Sequence, residues 1–132
     1  MRMAEAAFRF EKLEVWKRSV VYGDLVYEVT ERFPSKERFG LISQLRRAAV
    51  SISGNIAEGS SRASNKDFSR FVEIAFGSLC ETISHLYMSR RRKMISDEEF
   101  KRLYDAAVEL SRMLSVFRNS LGKWKPDSAD GS

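Results

Sequence analysis

Only two prolines occur in this chain, Pro34 and Pro126. No other residue type breaks a helix as surely, because proline removes a backbone donor and clashes with the preceding turn. Nearly everything else carries hydrophobic residues at helical spacing, so the chain reads as all-α. Pro34 biases its predecessor away from helical geometry. That predicts a first helix over residues 13–33 and a second over 39–60, with Gly59 near its end as a stop. Ser64 with Asp67, and Ser96 with Glu99, have the spacing of capping boxes. They open a third helix over 65–92 and a fourth over 97–121, which Gly122 can close. Residues 1–12 form an N-terminal segment. Residues 122–132 lack periodicity and read as a disordered tail.

The fourth helix has the cleanest pattern: Phe100, Leu103, Ala107, Leu110, Leu114, Phe117 and Leu121 alternate three- and four-residue steps, as a one-sided bundle helix does. The third is wider, with Phe68, Phe71, Val72, Ala75, Phe76, Leu79, Ile83, Leu86 and Tyr87 on its apolar side. Its aromatic bulk is expected to fill the centre. The first helix carries two stripes on nearly opposite sides. One is Leu13, Trp16, Val20 and Tyr27; the other is Val15, Tyr22, Val26, Val29 and Phe33. On the second helix, Leu41, Leu45, Ala48, Ala49, Ile52 and Ile56 point one way, and Ser43, Val50, Gly54 and Ala57 lie behind them with little bulk. A helix apolar on two faces must be buried twice, and a second copy of the chain supplies the second burial most simply. The expected homo-oligomer interface is therefore Val15, Tyr22, Val26, Val29, Val50, Gly54 and Ala57. The alternative is that residues such as Val50 are singly exposed, as surface hydrophobes often are.

A chain of 132 residues fits one domain and buries roughly two-thirds of its unfolded surface without staples. The single cysteine, Cys80, cannot form an internal disulfide, and with one histidine, His85, no structural zinc site can be assembled. No apolar run approaches the roughly 20 residues of a membrane span, and the N-terminus lacks a secretory pattern. A cytoplasmic protein with no membrane partner is the expectation.

Few groups suit catalysis. His85 has one helical carboxylate partner, Glu81, and such a pair is more often a surface or interface hydrogen bond than an acid–base couple. Cys80 beside the aromatic stripe reads as a small packed residue, and the glycines of "FGSLCE" and "SGNIAEG" follow no strand and lack phosphate-loop spacing. No enzyme activity, cofactor or metal site is expected. Asn55 is read as a structural polar residue fixing register by a hydrogen bond, and Glu58 or Glu81 as partners of Arg46 or Arg47 within or between subunits.

Basic residues exceed acidic ones by 23 to 18, a formal charge of +5. Such an excess favours a polyanion only where it is gathered. Three groups gather it: Arg46 and Arg47; Arg62, Lys66 and Arg70; and the run Arg90, Arg91, Arg92 and Lys93. One or two cations at a helix C-terminus complement its dipole. Four in succession exceed that need, and repeated around an oligomer they would bind RNA or DNA phosphates.

The segments "FEKLEVWKRS", "QLRRAAVSI", "NIAEG" and "GSLCE", with "ISDEEFKRLYDAAVELSRML", resemble the 23S rRNA intervening-sequence protein family over about Phe8 to Leu121. They are similar also to the accessory variability determinants of diversity-generating retroelements. The resemblance implies an antiparallel up-down four-helix bundle, assembled as a homopentamer with a basic surface and without catalysis. It implies either nucleic acid or, as in the retroelement relatives, a reverse transcriptase as partner. The matching motif positions are Arg46 and Arg47, Asn55 and Glu58, and Glu81; none is an established catalytic residue. Gly54 stands where serine is common, which lets a neighbouring helix come closer.

Overall fold

The computed structural model of the protein describes residues 6–122; the expected tail from residue 123 onward and the first five residues lie outside these. The described chain contains four α-helices and no strand: α1 (Glu14–Thr30), α2 (Ser43–Gly59), α3 (Asn65–Arg91) and α4 (Asp97–Gly122). Each helix packs against two others, in the cycle α1–α2–α3–α4 and back to α1.

The helix ends follow local chemistry. Ser64 Oγ accepts from the Asp67 amide at 3.1 Å to open α3. At the start of α4, Ser96 Oγ accepts from the Glu99 amide at 3.0 Å while Glu99 Oε1 accepts from the Ser96 amide at 3.4 Å, a reciprocal capping box. The first helix stops three residues earlier than the spacing predicts. Thr30 Oγ1 donates back to the Val26 carbonyl at 2.7 Å, and residues up to Pro34 continue as turns. The second helix begins later, at Ser43. Gly40 leaves helical geometry (φ −109°, ψ −114°) inside a wide turn over Arg38–Ile42, and the Glu37 carboxylate accepts from the Leu41 amide. Gly59 is the last residue of α2 but not a left-handed cap; what calls for glycine there is close packing. A Cβ there would sit 2.6 Å from Phe71 Cβ and 2.8 Å from Phe68 Cδ1.

The corner between α3 and α4 is a Schellman turn: the Lys93 amide donates to the Arg90 carbonyl and the Met94 amide to the Ser89 carbonyl, each at 2.9 Å. Its left-handed position is filled by Lys93 (φ 61°), the one positive-φ non-glycine residue among those described. That conformation costs a side-chain-bearing residue roughly 1–2 kcal/mol relative to a right-handed one.

The core takes Leu45, Ala49, Ile52 and Ile56 from α2, Phe68, Val72, Ala75, Leu79 and Leu86 from α3, and Leu103, Ala107, Leu110 and Leu114 from α4. The α2 and α4 stripes are as expected, except that Leu41 and Phe117 are only partly buried. On α3 the aromatic bulk does not fill the centre. Phe68 alone is fully buried, Phe71 and Phe76 are partly covered, and Tyr87 is 51% exposed.

The first helix brings the main correction. Val15, Tyr22, Val26 and Val29, expected at an oligomer interface, are buried within the single chain. They recur with Ser19 and Phe33 at heptad spacing (15, 22, 29 and 19, 26, 33), the seam of a bundle helix. Ser19 fits this seam because its hydroxyl donates to the Val15 carbonyl at 2.7 Å, leaving no unpaired donor in the core. The opposite stripe is the outer one. Val20 and Tyr27 are exposed, and Leu13 and Trp16 half-buried.

Candidate nucleic-acid interface

The smallness of α2 has two separate uses. Toward α3 it permits contact close enough for Ser51 Oγ and Ser78 Oγ to lie 2.8 Å apart. Asn55 Nδ2 donates to the Ser51 carbonyl at 2.8 Å and to Ser51 Oγ at 2.9 Å, so Asn55 supports this helix contact. Away from the core, Val50 is 52% exposed, Gly54 is exposed and Ala57 half-buried. Val20, Gly23 and Tyr27 of α1 and Val50 of α2 line one shallow groove, so the outer faces of the two helices are contiguous.

The nine cations do not gather at one place. Gly59 meets Phe68 and Phe71, while Ser51 meets Ser78, so Arg62, Lys66 and Arg70 lie toward one end of α3 and Arg90 to Lys93 at the other. At 1.5 Å per residue the helix rise separates Lys66 from Arg90 by roughly 36 Å. Arg46 lies toward the second end, where α1 finishes.

Three of these nine are engaged within the chain. Arg46 Nε donates to Thr30 Oγ1 at 2.9 Å and Nη2 to the Tyr27 carbonyl at 3.3 Å, with its guanidinium 4.4 Å from the Tyr27 ring centre. It braces the C-terminus of α1, adding a charged donor to a Tyr27 carbonyl that also accepts from the Glu31 amide and complementing the helix dipole. Arg62 pairs with Glu58 at 3.1 Å and lies over Phe71 at 4.6 Å. Arg90 donates to Asp97 Oδ1 at 3.1 Å and lies over Phe100 at 4.6 Å. Arg47, Lys66, Arg70, Arg91, Arg92 and Lys93 are exposed and make no ion pair among the described residues.

Inside the chain neither acidic residue pairs with Arg46 or Arg47, which leaves the between-subunit form of that expectation. Glu58, next to the last residue of α2, pairs instead with Arg62, four residues on in the turn before α3. Glu81 Oε2 lies 3.3 Å from His85 Nε2, with Glu81 exposed and the ring partly so. That is the surface hydrogen bond expected of such a pair. Cys80 is exposed, not packed beside the aromatic stripe. No three His, Cys, Asp or Glu side chains gather where they could hold a metal ion among the described residues. No described helix is long and apolar enough to cross a membrane.

At the α3–α4 corner the cations border a groove whose lining includes Tyr87, Met88, Arg90, Arg91, Lys93 and Ile95. Tyr87 packs edge-on against Phe100 (ring centres 4.9 Å) and Tyr104 (6.4 Å), yet half of it faces solvent, as does half of Met88. Sequence reasoning placed Tyr87 in the core. The signal against that was available: the α3 seam runs 68, 75, 82, 89 and 72, 79, 86, which requires Thr82 and Ser89 to be core residues and turns Tyr87 outward. Both hydroxyls are internally bonded, Thr82 to the Leu79 carbonyl at 2.6 Å and Ser89 to the His85 carbonyl at 2.8 Å.

Residues 11–116 match the family described as 23S rRNA-intervening sequence protein. Among solved structures the chain is similar to a protein of unknown function from the S23 ribosomal protein family of Bacteroides thetaiotaomicron. The two are 24% identical with a TM-score of 0.71, over 79% of this chain and 97% of that one, a likeness in fold. A search of curated proteins found no match.

Proposed function

The chain belongs to the 23S rRNA-intervening sequence protein family, and from that premise we propose that it is a non-enzymatic, cytoplasmic, homo-oligomeric scaffold of antiparallel four-helix bundles that binds RNA or DNA through phosphate contacts. The observation that carries this reading is the set of exposed cations Arg91, Arg92 and Lys93 at the end of α3, which make no ion pair among the described residues. Macrodipole complementation needs one or two of them. The antiparallel order of α1 and α4 is supported by their ion pairs, in which Arg18, Glu28 and Arg32 meet Glu109, Arg102 and Glu99 in reverse sequence. An oligomer, a pentamer by the family's resemblance, is supported by the contiguous outer face of Val20, Tyr27, Val50 and Gly54. Covering these apolar groups stabilises an assembly by about 25 cal/mol per Å² removed from water.

Binding of this kind is salt-sensitive and only weakly sequence-selective, because phosphate contacts position a nucleic acid without reading its bases. The test is fluorescence-anisotropy titration with RNA and DNA duplexes across a salt series, with the mass measured by light scattering on the same samples. Tight binding by an oligomer that falls steeply with salt supports the reading. A monomer that binds neither duplex at low salt ends it.

A second reading, an accessory subunit that docks on a retroelement reverse transcriptase, is favoured by one other feature. The start of α1 and the end of α4 form an apolar groove lined by Leu13, Met113, Val116 and Phe117, with Val116 exposed. Co-purification of this chain with a reverse transcriptase encoded beside it, lost on Val116→Asp, would separate the adaptor from the scaffold.

A further inference from the structure

The α3–α4 corner combines features that duplex phosphates alone do not call for. Tyr87 is a half-exposed ring, but a held one: Phe100 and Tyr104 pack against it edge-on. Little freedom is left to lose when another flat group lies on it. Met88, half-exposed, extends the apolar surface beside it over the buried Ile95, and Arg91 and Lys93 stand on the same groove. Of the cations there, Arg90 is neutralised by Asp97, leaving Arg91 and Lys93 for a ligand.

Lys93 supplies a second, independent observation. It occupies the left-handed position of the Schellman turn, where glycine is the unstrained choice. Strain kept at an exposed cation points to a use for that cation.

Duplex ends aside, a double helix offers this groove no free base face, since its bases are stacked on one another and show only their edges. A single strand offers both phosphates and free base faces, and aromatic platforms flanked by cations are suited to it. Resting on the nucleic-acid reading above, we propose that this groove takes an unpaired nucleotide of single-stranded RNA or DNA, with its base stacked on Tyr87 and the adjoining phosphates held by Arg91 and Lys93. A two-cation rim fits an anionic strand better than a neutral apolar peptide.

The test titrates the full chain with four labelled probes: a short uridine strand, the matching thymidine strand, a sugar–phosphate strand of equal length without bases, and a blunt duplex. The expected result is about tenfold tighter binding of one or both base-bearing strands than of the abasic strand, the order of one stacked base. The uridine and thymidine arms report which sugar is preferred. Tyr87→Ala erases that difference without changing the salt slope, and Tyr87→Phe retains it. Lys93→Gly lowers the salt slope by about one contact while raising the melting temperature, a combination that a merely structural lysine would not produce.

Equal affinity for abasic and base-bearing strands overturns the proposal, as does a Tyr87→Ala protein that keeps the difference. Either result with duplex binding intact leaves the phosphate scaffold standing and assigns the groove to a protein partner. Failure to bind any of the four probes overturns both readings. Should Tyr87→Ala not fold, the abasic comparison on the unmutated chain decides alone.

Discussion

Tyr22 Oη lies 2.7 Å from Thr82 Oγ1 in the middle of the core, joining α1 to α3, helices that stand across the bundle from each other. Thr82 has one hydroxyl proton and gives it to the Leu79 carbonyl. Tyr22 is therefore the donor in this bond, and each hydroxyl proton has an acceptor. The pair makes the inner stripe of α1 specific: a rotation of the helix that buried Val20 and Tyr27 instead would leave the Tyr22 phenol outside and the Thr82 oxygen without its donor.

Replacing Tyr22 by Phe removes the donor and is expected to cost about 1 kcal/mol, the usual net value of one internal hydrogen bond. Thr82→Val removes the acceptor and leaves the phenol unsatisfied in the core, at about 1–3 kcal/mol. The double variant is expected to be less destabilised than the sum of the two. Urea unfolding of the four proteins measures the coupling, and strict additivity would mean the bond contributes nothing.

Burial pushes the Tyr22 hydroxyl up to about 12 from its ordinary value of 10.0. Below pH ~10 the phenol is protonated in both states and the fold keeps its full stability. Between pH ~10 and ~12 the unfolded chain ionises this residue and the folded one does not, so stability falls with rising pH by a total of about 2–3 kcal/mol, and no further above that. Tyrosinate absorbance is expected to show Tyr22, one of four tyrosines, resisting ionisation until the protein unfolds. Tyr22→Phe removes this part of the alkaline slope.

The glycines separate packing within the chain from packing in the proposed assembly. Gly59→Ala forces a methyl into Phe71 Cβ and Phe68 and is expected to lower stability by about 1–3 kcal/mol. At Gly54 and Gly77 an added Cβ meets nothing within 4 Å, so alanine at either is expected to stabilise the subunit by roughly 0.5–1 kcal/mol through better helix propensity. Gly54→Ala additionally weakens the proposed assembly, because it thickens the outer face of α2. Thermal melting and light scattering together give the two readouts, with Gly77→Ala as the control.

Arg46 and Arg91 are expected to fail differently. Arg46→Ala removes the closure of α1 at Thr30 and Tyr27 and costs stability, about 1 kcal/mol or somewhat more. Reversing Arg91 and Arg92 to Glu leaves the melting temperature nearly unchanged and abolishes most nucleic-acid affinity. Anisotropy and melting on both variants check this. An Arg46→Ala protein of wild-type stability would show that its contacts do not matter to the fold.

What the sequence determined by itself is what depends on near neighbours. Pro34 ended the first helical region, Ser64 and Ser96 began α3 and α4, and the periodicity of α4 named its core residues, because capping and helical spacing act over three or four positions. What only the tertiary structure decided depends on partners far along the chain. Both stripes of α1 are apolar, and the inner one is selected by Thr82, sixty residues from Tyr22. Arg46 reads as a surface cation until Thr30, sixteen residues earlier, comes beside it. Gly59 reads as a helix stop until Phe68 and Phe71 pack on it, and Tyr87 as core until Thr82 and Ser89 take the seam. Local spacing gives each helix its faces; packing a phenol, a hydroxyl or a guanidinium against a distant partner decides which face turns inward.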